Sequence, residues 1–106
     1  MADLFASPVI ELQARIDDKP PQVFRGRFAW TLDALLQSGD AGCTPISRPA
    51  PRWSHYVWRL HGDGVSIETI DEKHAGPYAG QHARYVLRSK VQVLKATRAG
   101  EARHAA

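Results

Sequence analysis

The sequence predicts an α+β domain in which helices come first and a β-hairpin closes the chain. Three observations carry that prediction. Trp53, Tyr56, Val57 and Leu60 recur at i, i+3, i+4 and i+7, the apolar stripe of an amphipathic helix of about three turns. Gly62 and Gly64 follow, and glycine takes the left-handed cap conformation at little cost. Val65, Ile67 and Thr69 then alternate with Ser66 and Glu68, and residues 83–88, ARYVLR, alternate again, which is strand spacing.

Taken in order, residues 1–21 form an N-terminal extension. Ser7-Pro8 is a helix start, and Val9, Leu12 and Ile16 make a short apolar stripe over residues 8–17. Lys19-Pro20-Pro21 breaks any helix and marks a boundary. Residues 23–38 are the first core helix, with Phe24, Phe28, Leu32, Leu35 and Leu36 at helical spacing and Gly39-Asp40-Ala41-Gly42 as the stop. Thr44-Pro45-Ile46 supports one helical turn, limited by Pro49 and Pro51, with Ile46 as its core contact. The central helix occupies residues 52–61. Strands over 65–70 and 83–88 flank a loop, residues 71–81, that contains Gly76-Pro77 and Gly80. Val91 and Val93 extend the sheet or begin a final element, and residues 96–106 form a basic tail. The domain proper spans 22–95. Its expected core is Phe24, Phe28, Leu32, Leu35, Leu36, Ile46, Trp53, Val57, Leu60, Ile67, Tyr85 and Leu87.

The 106 residues fit one domain of ordinary apolar and charged content. A single cysteine, Cys43, excludes an intramolecular disulfide and fits a reducing, cytoplasmic setting. No apolar run is long enough to span a membrane, and the N-terminus carries acids in place of a basic leader. The net charge of +3 is uneven. Arg15 and Lys19 are outnumbered by Asp3, Glu11, Asp17 and Asp18 near the start, whereas Arg84, Arg88, Lys90, Lys95, Arg98 and Arg103 face Glu101 alone near the end. A basic second half suits a polyanionic partner.

Helix, short turn, helix and hairpin is also the order of a winged helix-turn-helix. The stretch CTPISRPAPRWSHYVWRLHGDGVSIETI followed by GQHARYVL resembles small bacterial and phage-associated winged-helix domains. The recurring pattern is a basic residue, an aromatic-aliphatic pair, Leu, Gly and an Ile-x-Thr strand. It falls here on Arg52, Tyr56-Val57, Leu60, Gly64 and Ile67-Glu68-Thr69, within a resemblance covering about residues 24–94. The resemblance implies a three-helix core with a C-terminal β-hairpin wing, residues 52–61 as recognition helix and residues 71–81 as wing. The proline-shortened second helix departs from the usual pattern.

A recognition helix needs long donors that reach base edges and phosphates. Arg52, His55 and Arg59 lie opposite the apolar stripe, with Trp58 among them and Arg48 just before. Lys73, His74 and Arg84 supply bases to the wing, although Asp71 and Glu72 share that loop. The expected partner is double-stranded DNA, for a transcriptional regulator or a phage-derived accessory factor. The alternative is a protein-interaction winged helix anchored by Trp58, because tryptophan is enriched at protein contacts. The stripe over residues 8–17 is the one spare apolar surface for a homodimer.

Other chemistry is poorly represented. His55, His61, His74, His82 and His104 show no zinc-ligand spacing, and the lone Cys43 adds no second cluster, so no metal or other cofactor is expected. Cys43 is better placed as a small buried hydrophobe than as a nucleophile. No phosphate loop or nucleophile elbow is present, and the chain is expected not to be an enzyme.

Overall fold

The computed structural model describes residues 8–50, 52–74 and 80–102. The chain order is β1 (Val9–Ile16), β2 (Gln22–Arg25), α1 (Arg27–Ser38), a 3₁₀ turn (Gly39–Ala41), α2 (Trp53–Gly62), β3 (Ile67–His74), β4 (Gly80–Leu87), β5 (Val91–Arg98) and a last helical turn, α3 (Ala99–Ala102). The strands make two antiparallel sheets, one ordered β2-β1-β5 and the other the β3–β4 hairpin.

Residues 8–17 are not a helix. They form the central strand β1, hydrogen-bonded to β2 on one side and β5 on the other. Leu12, Ala14 and Ile16 alternate inward, as a half-buried strand requires. Val9 is also buried, three residues before Leu12 rather than two, because the register against β5 shifts between Val9 and Glu11. That irregularity adds a residue to β1, as a β-bulge does, and produces the three-residue step that imitates helical spacing. The Val9, Leu12 and Ile16 stripe therefore lies inside this chain's own core, and it offers no surface to a second copy. The expectation of a homodimer through these residues is withdrawn.

The Lys19-Pro20-Pro21 boundary is the loop of the β1–β2 hairpin. Asp17 and Asp18 take positive φ there, at 50° and 69°, a conformation that aspartate tolerates better than most side chains. Helix α1 begins at Arg27 rather than at residue 23, because Gly26 turns the chain at φ 63°. Phe24 is accordingly a buried strand residue.

Among the described residues the predicted three-helix core is reduced to two substantial helices. Between them the chain makes one turn at Thr44, where Arg48 N–H donates to Thr44 O at 2.9 Å. Thr44 and Ser47 cap each other, with Ser47 N–H on Thr44 Oγ1 at 2.9 Å and Thr44 N–H on Ser47 Oγ at 3.0 Å. This capping buries Thr44 and leaves Ile46 62% exposed, so Ile46 is not a core residue. Helix α2 ends as its glycines predict. Val65 N–H donates to Leu60 O, Gly64 N–H donates to His61 O, and Gly64 sits at φ 93°, the Schellman arrangement. Gly62 lies within the helix rather than after it.

Of the expected core, Phe24, Leu32, Leu35, Trp53, Val57, Leu60, Ile67 and Tyr85 are buried, and Phe28, Leu36 and Leu87 pack at its margin. The "basic tail" also has structure. Its first residues complete β5, and Ala99 N–H donates to Pro8 O at 3.1 Å.

Two substitutions separate this core from the one that helical spacing implies. Leu12→Ala should destabilise the fold by about 2–5 kcal/mol in chemical denaturation. Ile46→Ala should stay within about 0.5 kcal/mol of wild type.

Candidate nucleic-acid interface

Helix α2 presents two sides. Trp53, Tyr56, Val57 and Leu60 face the core, while Arg52, Ser54, Trp58, Arg59 and His61 are exposed. The core side is held by aromatic packing. The Trp53 indole stacks on Tyr85 of β4, with centroids 5.6 Å apart and planes 12° from parallel. It also tilts against Trp30 of α1 at 5.7 Å. Its Nε1–H donates to Arg48 O at 2.6 Å, which ties the start of α2 to the Thr44 turn. Gln22 of β2 donates to Asp63 O at 3.0 Å and holds the far end.

Phe28 of α1 organises the flank nearest that helix. His55 lies 6.1 Å from its ring, Tyr56 meets it edge-on at 6.0 Å, and the Arg59 guanidinium sits over it at 5.0 Å. Arg59 also approaches Asp63 at 3.7 Å. His55 and Arg59 are thus at the α1–α2 seam, with His55 half-buried and Arg59 exposed. Trp58 stacks on His55 at 5.9 Å and 24°, and is itself 68% exposed. Arg52 is exposed at the helix N-cap. Ser54 and His61 are exposed as well, on the flank of α2 opposite Arg52 and Arg59. Both sit about 80–100° round from Trp53 on a helical projection, at the margin of the apolar stripe, so helical spacing does not set them apart as outward residues.

The remaining basic residues are used unequally. Arg48 is half-buried and donates to Gln37 Oε1 of α1 at 3.3 Å. It also helps Asp33, whose carboxyl is raised above the usual range by burial, an effect that Arg98 and then Arg48 oppose. Lys73 is exposed, opposite Gln81 in the hairpin. His74 ends β3 with its backbone paired to Gly80, and its side chain lies outside the described residues. Most of the expected wing loop is strand: residues 71–74 and 80–81 belong to β3 and β4.

Arg84 is not a free cation. Its Nε and Nη2 grip the two carboxylate oxygens of Glu72, and its Nη1 donates to Ala41 O at 2.6 Å. The same contact holds the Glu72 carboxyl below its ordinary range. His82 also meets Glu72, Nε2 to Oε1 at 3.1 Å.

Cys43 is fully buried, with Sγ 3.3 Å from Ala34 O and 3.1 Å from Ser38 Oγ, the environment of a structural thiol. Among the described residues no group of three or more His, Cys, Asp and Glu side chains is placed to hold a metal. Among the described residues no helix is long and apolar enough to cross a membrane.

The backbone also links hairpin and helices. Cys43, between α1 and α2, makes an isolated antiparallel bridge to Tyr85 of β4. That bridge ties the segment leaving α1 to the hairpin that follows α2. A family described as the winged helix domain matches residues 21–97. The chain belongs to the winged helix domain family. The winged helix is typically a non-catalytic, DNA-binding fold. No curated protein and no solved structure matches the chain. Strand β1 lies outside the matched range yet completes the sheet in which β2 and β5 are edges.

Tyr85 offers a check on this geometry. Burial, and then the charge of Asp71, raise its phenol above the usual value. A raised folded-state value means that the neutral phenol is favoured in the fold. Its contribution is fully present below about pH 10 and is lost as pH climbs through the raised value. An ultraviolet titration should show phenolate absorbance appearing above the usual tyrosine range, and Tyr85→Phe should remove that late component.

Proposed function

We propose that the protein binds double-stranded DNA, with α2 in the major groove and the β3–β4 wing on the flanking backbone. The observation that carries this reading is the outward side of α2. Arg52, Trp58 and Arg59 are exposed there, in a chain of the winged-helix family, and we read α2 as its recognition helix. Arg52 stands at the helix N-terminus, where helices of this class present side chains to base edges. Arg59, levelled by Phe28 and partly offset by Asp63, suits phosphate contact. His55 supports Trp58 from behind. Lys73 extends the positive surface onto the wing, with His74 beside it in sequence, and Arg48 steadies the helix entry. Such a module serves as a transcriptional regulator or a phage-derived accessory factor in a bacterial cytoplasm.

The exposure of Trp58 favours a second reading, a protein partner anchored on that indole. Large exposed aromatics concentrate binding energy at protein interfaces.

Titration of a labelled duplex at about 50 and about 200 mM salt separates the two readings. DNA binding predicts an affinity that falls steeply with salt. Arg52→Ala should weaken it and reduce the salt slope by about 1, with Trp58→Ala having the smaller effect. Absence of binding even at the lower salt rejects the DNA reading and leaves Trp58 as the anchor to test.

A further inference from the structure

The two faces of the wing do different work. In an antiparallel pair, directly opposed residues point to the same side, and neighbours along a strand point to opposite sides. The register opposes Thr69 to Tyr85 and Lys73 to Gln81, so these share the face that packs on Trp53 through Tyr85. Glu72 opposes His82, Ile70 opposes Arg84 and Glu68 opposes Val86, so these share the other face.

That other face is fastened to the 3₁₀ turn, Gly39–Ala41. Arg84 uses all three nitrogens of its guanidinium, Nε and Nη2 on Glu72 and Nη1 on the carbonyl of Ala41. A planar fork held at all three nitrogens has little freedom to turn. A second pair stands beside it: Arg88 Nε meets Glu68 Oε1 at 2.8 Å, while its Nη1 approaches Asp40 of the same turn at 3.9 Å. The backbone is flush here as well. A Cβ on Gly42 would lie 2.7 Å from Tyr85 O and 3.0 Å from Arg84 Cγ.

We propose that Arg84 and Glu72 are positioning residues that set the wing's angle to α2, and that neither touches DNA. This rests on the DNA-binding reading above. A two-stranded hairpin is marginal by itself and takes its orientation from what it packs against. Displacing Glu72 to free Arg84 for a phosphate would release the hairpin from Ala41 at the same moment. Lys73, one residue beyond Glu72 and on the opposite face, is the exposed cation that this placement delivers to the backbone. An acid at position 72 would otherwise only repel phosphate, and its two ties to Arg84 account for its presence.

The sign of one substitution tests the proposal. Glu72→Gln removes a negative charge from the wing. If Arg84 were a phosphate ligand, freeing it would tighten binding. Positioning predicts the reverse: the full-length Glu72→Gln protein binds the labelled duplex about tenfold more weakly, a change of about 1.4 kcal/mol. Glu72→Asp keeps the charge but draws the carboxylate back from the fork, and it should weaken binding similarly. Hydroxyl-radical footprints of both variants should keep the protection due to α2 and lose the flanking protection due to the wing. Should one variant fail to melt cooperatively, the other decides. Tighter or unchanged binding by a folded variant, or loss of both protections together, overturns the positioning role while the DNA reading stands. Failure of the wild type to bind at low salt overturns both.

Discussion

Cys43 and Tyr85 exchange both backbone hydrogen bonds, N to O at 2.9 and 2.8 Å, and the relation between wing and helices depends on that exchange. It requires the chain leaving α1 to run against β4 with no side chain in the way. Gly42 meets the requirement: its φ of 73° suits glycine, and the space that a Cβ would fill is already occupied by Tyr85 O and the side chains of Val86 and Arg84. The bridge fixes Tyr85 in register, and Tyr85 in turn supplies the ring on which Trp53 stacks. Trp53 starts α2, so one backbone contact sets the hairpin and α2 together.

The three-stranded sheet supports this arrangement from the opposite side. β1 supplies Leu12, Ala14 and Ile16 beneath α1, and the hairpin loop after it brings Gln22 to the C-terminal end of α2. Helix α2 is therefore held at its start by Trp53 and Arg48, and at its end by Gln22 and the Gly64 cap. Trp58 and Arg59 remain exposed on its outer side among the described residues. Arg84 and Arg88 add polar ties on the far face of the hairpin, so the wing is restrained on both of its faces.

Much of this was legible from the residues. The period of α2, the glycine stop and the alternation in β3 and β4 are local signals, and nothing elsewhere in the fold opposes them. β1 was not legible. The bulge near Ile10 shifts Val9 out of phase, and the stripe that results satisfies a helical template. Gly26 likewise cuts Phe24 from a run that otherwise continues helical spacing into α1. Ile46 was misplaced because mutual capping by Thr44 and Ser47 decides which side of that turn faces inward. In the candidate site, the exposure of Trp58 and Arg59 follows from helix geometry, whereas the half-burial of His55 depends on Phe28 of α1. The loss of Arg84 to Glu72 does not follow from local geometry, because it depends on strand register and on a turn more than 40 residues away.

Native-state hydrogen exchange at the amides of Cys43 and Tyr85 tests the central claim most directly. If their bridge joins the wing to the helices, both amides are buried in the cooperative core. They then exchange only through global unfolding, with protection equal to that of Leu32 and Leu35 in α1. Exchange of either amide at the rate of an open loop, while α1 stays protected, would contradict the account.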